Sequence, residues 1–460
     1  MIESAQAAGS ARSQVHHNEL TEKYLAAFQA SGLKASEFHA AVQPVTVGTH
    51  FDGRCLTRPG LLEREQVRRL EADLETLFRC VTGLPDRLFG GDLGAFALAT
   101  GVPQQQVDAI VRGRGNAPSR LSRADLYVDD TGFKVLELNM SAALGGIDSG
   151  GLIRAMLAQP FLAEFAAEHN LGYVDTMVEV GQTLLAECCA SPDARPTVAF
   201  CDWPASYPEL ESQLHKNAAA LTKLGMDAFA CHLGQLRVDE QFDVWLGERK
   251  VDVIYRLFLI EDLLDPTGPA LIEPVLRAAE RDKVKIFSPM DAELYGSKGA
   301  LALLSDEANR GVFSDEELDC LDRILPWTRT VRHGPVTVAG RTVLLEEYAI
   351  AEREELILKP VMLHGGAGVT PGWQTEPEKW ARLLEESMNE QFVLQRRIHP
   401  HTELFPSDDG LTEWLLVWGA FLGARGYSGM YLRGGPAESQ NAVLNMVSGA
   451  TGSCCFHELG

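Results

Sequence analysis

The segment RADLYVDDTGFKVLELN, residues 123–139, decides how the rest of the chain is read. Apolar and polar residues alternate on either side of Asp130-Thr131-Gly132, which predicts strand, turn and strand. With Gly132 in the left-handed position of a three-residue turn, facing residues sum to 262. Asp125 then faces Glu137, Arg123 faces Asn139, and the period of two puts Asn139 on the same face as Glu137. Two carboxylates and an amide oxygen on one pleated face make a hard oxygen site. Magnesium suits it, because that ion keeps several waters and takes phosphate oxygens for the remainder of its shell. The plainer alternative is a solvated hairpin, and a one-residue slip would part the carboxylates.

Two further constellations lie downstream. Leu356-Ile-Leu-Lys359-Pro360 reads as an apolar strand that delivers a lysine, and His364-Gly-Gly-Ala-Gly368 follows as a glycine-rich loop. A cation beside exposed backbone N–H groups can hold phosphate oxygens. HGGAG also has the composition of an esterase oxyanion loop, but the nucleophile elbow such an enzyme needs is absent: Gly426-Tyr-Ser428-Gly-Met ends in methionine. Phe392-Val-Leu-Gln395-Arg396-Arg397-Ile398 reads as a strand running into a polar segment, fit either to line an adenine pocket or to be a core strand with a surface end. Lys298 stands between Tyr295-Gly-Ser and the apolar run GALALL.

The chain has 460 residues, 45% hydrophobic and 23% charged, which predicts a globular protein of two or three lobes. A net charge of −23 with no Lys/Arg-rich block argues against nucleic acid as a partner. The opening MIESAQAAGSARSQV lacks the basic start and apolar run of a signal peptide, and the most apolar stretch, Trp414 to Ala424, is too short to span a bilayer. Nine scattered cysteines without C-x-x-C predict reduced thiols in the cytoplasm.

Residues 1–60 are expected to be only partly ordered. Residues 61–192 hold an amphipathic helix at 63–80 (Val67, Leu70, Leu74, Leu77, Phe78), the hairpin, and helices from Ile153 to Ala190. Residues 193–290 read as an α/β lobe with a parallel sheet: strands at 197–203, 227–231, 251–258 and 283–287, and a helix at 208–224 with Leu210, Leu214, Leu221 and Leu224 on one face, stopped by Gly225. Residues 291–460 carry a helix, a hairpin turned at Ala339-Gly340, and the lysine strand with its loop. His399-Pro-His401-Thr-Glu403 reads as an ordinary exposed turn, and Trp414, Trp418 and Phe421, at helical spacing, as core.

As an ordered set, R-x-D…E-x-N, a lysine before a helix, a Lys-Pro strand with a glycine loop and a Q-x-x-I strand resemble the ATP-grasp ligases. The spacing of Arg123, Asp125, Glu137 and Asn139 and the segment KPVMLHGGAGV resemble most the circularly permuted branch related to glutathionylspermidine synthase, in which the metal face precedes the lysines. The resemblance covers residues 120–150 and 250–435. It implies a mixed α/β fold with ATP and magnesium as cofactors. Asp125, Glu137 and Asn139 become metal ligands, and Arg123 steadies the transferred phosphoryl group. Lys298 and Lys359 lie on the nucleotide phosphates, and Arg433 near the nucleotide. Gly366 and Ala367 belong to the phosphate loop, and Gln395, Arg396, Arg397 and Ile398 to the adenine hinge. The implied reaction joins a small carboxylate to an amine (amino acid, peptide or polyamine) through an acyl-phosphate, releasing ADP, with the 362–372 loop as lid. No amidase segment precedes the synthetase part, and no glutathione or spermidine pocket is matched, so those substrates are not implied. Another ATP-dependent phosphotransferase, a regulatory nucleotide binder and a homodimer all stay open.

Overall fold

The computed structural model describes residues 15, 18–47, 49–140, 144–363, 365–439, 444–446 and 448–460. The hairpin forms where alternation puts it. Ser122–Asp129 and Gly132–Asn139 pair antiparallel, with Asp125 opposite Glu137 and Arg123 opposite Asn139. The route to that register differs from the expected one. Asp129 pairs with Gly132, so the loop is Asp130-Thr131 alone. The additional residue is Leu136, bulged between the pairs Asp125/Glu137 and Leu126/Val135. A bulge leaves one residue unpaired and sharpens the local twist, and here it restores the facing sum at the four polar residues.

The hairpin is the edge of an eight-stranded sheet. Outward from it run Gly410–Gly423, Gly426–Pro436, Thr451–Glu458 and Gly60–Leu62. The pairings on this path are antiparallel except the last, where Gly60–Leu62 runs parallel to Thr451–Glu458. Trp414, Trp418 and Phe421 therefore lie on a strand and not at helical spacing, and the core position expected of them holds for the buried Trp418 and Phe421, with Trp414 half-buried. From Leu416 onward every residue of Gly410–Gly423 is buried, so both faces are apolar and the alternation that marks a half-buried strand is lost.

The expected α/β lobe has a parallel four-stranded sheet in the order Lys285–Phe287, Val253–Arg256, Thr197–Asp202, Asp227–His232. Its helix Tyr207–Lys223 buries Leu214 and Leu221, while Leu210 and Leu224, expected on the same face, are exposed. Gly225 follows at φ 97°, a left-handed backbone that ends the helix. A third, smaller sheet is antiparallel, in the order Thr328–Thr330, Phe392–Arg396, Leu356–Pro360, Thr370–Pro371. Beside it the hairpin Pro335–Val338/Arg341–Leu344 turns at Ala339-Gly340, both with positive φ.

Within residues 18–47, where partial order was expected, two helices form, Glu19–Ser31 and Ala35–Thr46. Tyr24, Phe28, Phe38 and Val42 are buried in the core they share with the large sheet, and the Tyr24 ring packs edge-on to Phe165 at 5.1 Å. His399-Pro-His401-Thr-Glu403 is only partly the exposed turn expected. Glu403 is buried and accepts from the fully buried Arg58 at 2.7 Å. Among the described residues no helix is long and apolar enough to cross a membrane.

Candidate functional site

A cavity of about 890 Å³ opens where the face of the large sheet meets the small antiparallel sheet. Arg123, Asp125, Glu137, Asn139, Lys298, Lys359, Gly366, Gln395, Arg396, Arg397, Ile398 and Arg433 line it together. Ala367 is exposed and does not contribute to the wall. Segments more than three hundred residues apart are thus gathered by strand pairing: Asp125 sits opposite Gly419 across the sheet, and Arg433 lies one strand beyond. Among the described residues the lining carries six cations against two carboxylates, in a chain whose net charge is −23. Such a local reversal of sign favours an anionic ligand.

The hairpin face is polarised. Asp125 is fully buried and both of its oxygens are engaged: Arg123 Nε donates to Oδ1 at 2.7 Å, and Arg433 Nη2 to Oδ2 at 2.5 Å. Burial alone would raise this carboxyl, yet the two guanidiniums hold it well below the usual carboxylate range. Asn139 donates its amide N–H to Asp125 at 3.1 Å and to Glu137 at 3.4 Å. Glu137 remains partly open to the cavity, with Lys298 Nζ 3.8 Å from Oε2. No group of three His, Cys, Asp or Glu side chains among the described residues is arranged to hold a metal by itself. The donors that remain, a Glu137 oxygen and the Asn139 amide oxygen, fit magnesium of the kind that completes its shell with phosphate and water. Asp125 joins that set only when a guanidinium leaves it.

The lysines enter from two sides. Ser297 caps the helix Lys298–Ser305, accepting from Ala300 N–H, and this fixes Lys298 in the first helical turn. Its Nζ donates to the Leu363 carbonyl at 2.9 Å. Lys359, on Leu356–Pro360, donates to Gln395 Oε1 at 2.6 Å and to the carbonyl of the bulged Leu136 at 3.2 Å. Burial, with Lys298 adding repulsion, pushes the Lys359 ammonium down to about 8 against the pull of Glu137.

Ile357, Ile398, Leu415, Val417 and Leu444 make part of the cavity wall apolar. Gln395 is buried and bridges Lys359 to the Thr328 hydroxyl. Arg397 lies over the Trp373 ring at 4.1 Å, and Arg396 donates to Tyr348 Oη at 2.6 Å. Gly365 and Gly366 have φ of 63° and 77°, and Asn445 Nδ2 donates to the Gly365 carbonyl at 2.7 Å, joining the glycine loop to the 444–446 segment. His364 lies outside the described residues.

Sequence reasoning missed His50, Tyr431, Trp373 and Asn445, all of which line the cavity. One signal was present: Gly145-Gly146, just past Asn139, sits where added Cβ atoms would fall within 2.5 Å of the His50 and Tyr431 rings.

No known protein family matches the sequence, and no curated protein does. Solved structures do match. A glutathione synthetase-like effector from Globodera pallida, in its apo form, aligns with a TM-score of 0.52 at 12% identity, over 91% of this chain and 96% of that one. A putative γ-glutamylcysteine synthetase from Methylobacillus flagellatus aligns over 86% of this chain and 89% of its own, at 12% identity and a TM-score of 0.41. The first of these shows the fold, a mixed α/β architecture of several sheets shared with that effector.

Proposed function

We propose that the chain is an ATP-dependent carboxylate–amine ligase that works through an acyl-phosphate and releases ADP and phosphate. The observation that carries this reading is the convergence of Lys298, Lys359, Arg123, Arg433 and the open carboxylate Glu137 on one cavity whose wall is apolar in part. The order of the motifs, metal face before lysines, supports placement in the permuted ATP-grasp branch, with residues 61–192 and 291–460 forming the nucleotide-binding parts and 193–290 a lobe beside them.

Adenine packs among Ile357, Ile398, Leu415, Val417 and Leu444, and the backbone of 395–398 reads its edge. Lys298 and Lys359 exchange their present acceptors for phosphate oxygens, and Gly365-Gly366 offers N–H groups from above. Glu137 and the Asn139 amide oxygen would hold magnesium, which would supply charge to offset that of the γ-phosphate. The substrate carboxylate attacks the γ-phosphorus in line. Arg123 and Arg433 keep Asp125 as their counter-ion and turn their remaining N–H groups toward the acyl-phosphate. The glycine loop closes on the intermediate and keeps water out. A screen of amino acids and short peptides for ADP release that requires both a carboxylate and an amine tests the proposal. ADP release that needs only one of them, leaving a stable phosphorylated product, would place the chain with phosphotransferases instead.

A further inference from the structure

An acyl-phosphate that meets an amine needs an acceptor for the proton shed as the C–N bond forms. The charged groups of the cavity do not supply one. Asp125 is engaged by two guanidiniums, and Glu137 faces Lys298 and Asn139. The Tyr431 hydroxyl accepts from Arg433 Nη1 at 2.9 Å. Arginine cations offer donors only, and Lys359, though lowered to about 8, spends its N–H groups on Gln395 Oε1 and the Leu136 carbonyl and, in the ligase reading, on phosphate.

His50 is different. It sits in the turn after Ala35–Thr46, its backbone N–H donating to Asp148 Oδ2 at 3.1 Å. The ring stands edge-on to Tyr431 at 5.5 Å and is wedged against Gly145, where a Cβ would approach Cε1 to 2.5 Å. Arg123 and Arg433 lie over the same Tyr431 ring at 5.3 Å and 5.7 Å, and Arg123 Nη1 donates to the Gly145 carbonyl at 2.8 Å. The imidazole is thereby set beside the two cations that flank the reacting group. Among the described residues its buried Nε2 has no hydrogen-bond partner, and neither has the buried Oδ1 of Asp148. Burial first, then Arg123, Arg433 and Arg54, push the imidazole down to about 4, so the ring is neutral at neutral pH and keeps a lone pair.

We propose that His50 is the proton acceptor of the aminolysis step, an assignment that rests on the ligase reading above. The amine lone pair forms the bond to the acyl carbon. The bond from that carbon to the phosphate oxygen breaks, and its electron pair leaves with inorganic phosphate. The proton on the new C–N nitrogen passes to Nε2, which requires the tautomer protonated at Nδ1. Arg123 and Arg433 hold the departing phosphate, and their partial neutralisation by it makes the neighbouring imidazole a better base at the moment the proton arrives.

The test separates the two halves of the reaction. Hydroxylamine is unprotonated at neutral pH and attacks acyl-phosphates without a base, whereas an ordinary amine needs one. Wild type, His50→Gln and His50→Asn are assayed with ATP and magnesium on the twenty amino acids and their dipeptides. Hydroxamate is read with hydroxylamine, and ADP release with the amines. Expected is a selective loss: amine-dependent turnover falls roughly 100-fold in kcat, the scale of a missing general base, while hydroxamate yield, unfolding midpoint and MgATP affinity change far less. Equal losses in both assays, or no loss in either, overturn the assignment. Absence of hydroxamate from wild type with every acid overturns the ligase reading, and the role of His50 with it.

Discussion

Arg433 reaches across the large sheet to place Nη2 2.5 Å from Oδ2 of Asp125, with both side chains buried. Arg123 holds the other oxygen, so one carboxylate balances two guanidiniums out of contact with water. Removing a buried partner leaves uncompensated charge, which costs about 3–5 kcal/mol. Asp125→Asn is expected to lower unfolding stability on that scale, measured by urea titration. Because the Asp125 carboxyl is held below its ordinary value, about 4 for an unfolded chain, its contribution is full above that pH and is lost on acidification through the folded value. The variant should lose that acid limb. Wild-type-like stability at neutral pH would show that the arginines do not depend on Asp125.

Glu137 differs, being partly open and ion-paired only loosely with Lys298. Glu137→Gln is expected to keep the unfolding midpoint and to lose ADP formation by roughly 10²–10³-fold, the scale seen when one preorganised charge-stabilising group is removed. Near-normal turnover at saturating magnesium would sink its assignment to the metal.

Lys359 should impose a pH dependence of opposite sign on binding and on stability. Its ammonium titrates at about 8 in the free protein. MgATP affinity should hold below that pH and weaken above it, approaching about tenfold per pH unit for a single proton. The unfolded chain keeps the proton up to its ordinary pKa of about 10.4, so the same group makes the free protein more stable as pH rises from 8 to that value. Calorimetric titration of wild type and Lys359→Met across pH 7–9.5 distinguishes this: the variant should bind weakly and without the slope.

Gly366 has φ 77°, where a β-branched residue is strained. Gly366→Val should lower kcat/KM for ATP by about tenfold if the strain costs about 1–2 kcal/mol. Unchanged kinetics would mean that the phosphates lie away from this loop.

The acyl-phosphate route carries an isotopic signature. Oxygen from a labelled substrate carboxylate should appear in inorganic phosphate, because the attacking oxygen departs with phosphorus. An adenylating ligase would place the label in AMP and release pyrophosphate. Stoichiometric pyrophosphate would refute the proposed chemistry.

The hairpin was legible because a period of two is a local property of strands, and its polar face needed only the register. That register was right for a reason the sequence did not state: the additional residue is Leu136 in the strand, not Gly132 in the turn. Local alternation cannot distinguish these placements, since either one restores the same pairs. Gly410–Gly423 was misread for the converse reason, because burial on both faces erases the pattern by which strands are recognised. His50 was invisible: a single histidine in a polar, Ala-rich stretch has meaning only once Gly145 and Tyr431 are brought to it. The lysines fared better because each stands at an element boundary, Lys298 behind a serine cap and Lys359 beside a proline.

The parallel pairing of Gly60–Leu62 with Thr451–Glu458 bears on how the chain emerges from the ribosome. The strands of the α/β lobe lie within residues 197–287 and find their partners nearby, so that lobe can assemble while synthesis continues. The hairpin is made early, yet its neighbour Gly410–Gly423 follows nearly three hundred residues later. At about 5–20 residues per second that interval lasts roughly 15–60 s. Through it the buried edge of Ser122–Asp129, with Ala124 and Leu126 destined for the core, waits without its partner strand. A nascent chain of this design presents an unpaired apolar strand to its surroundings, and chaperone capture at residues 122–128 should be strongest before residue 423 is translated.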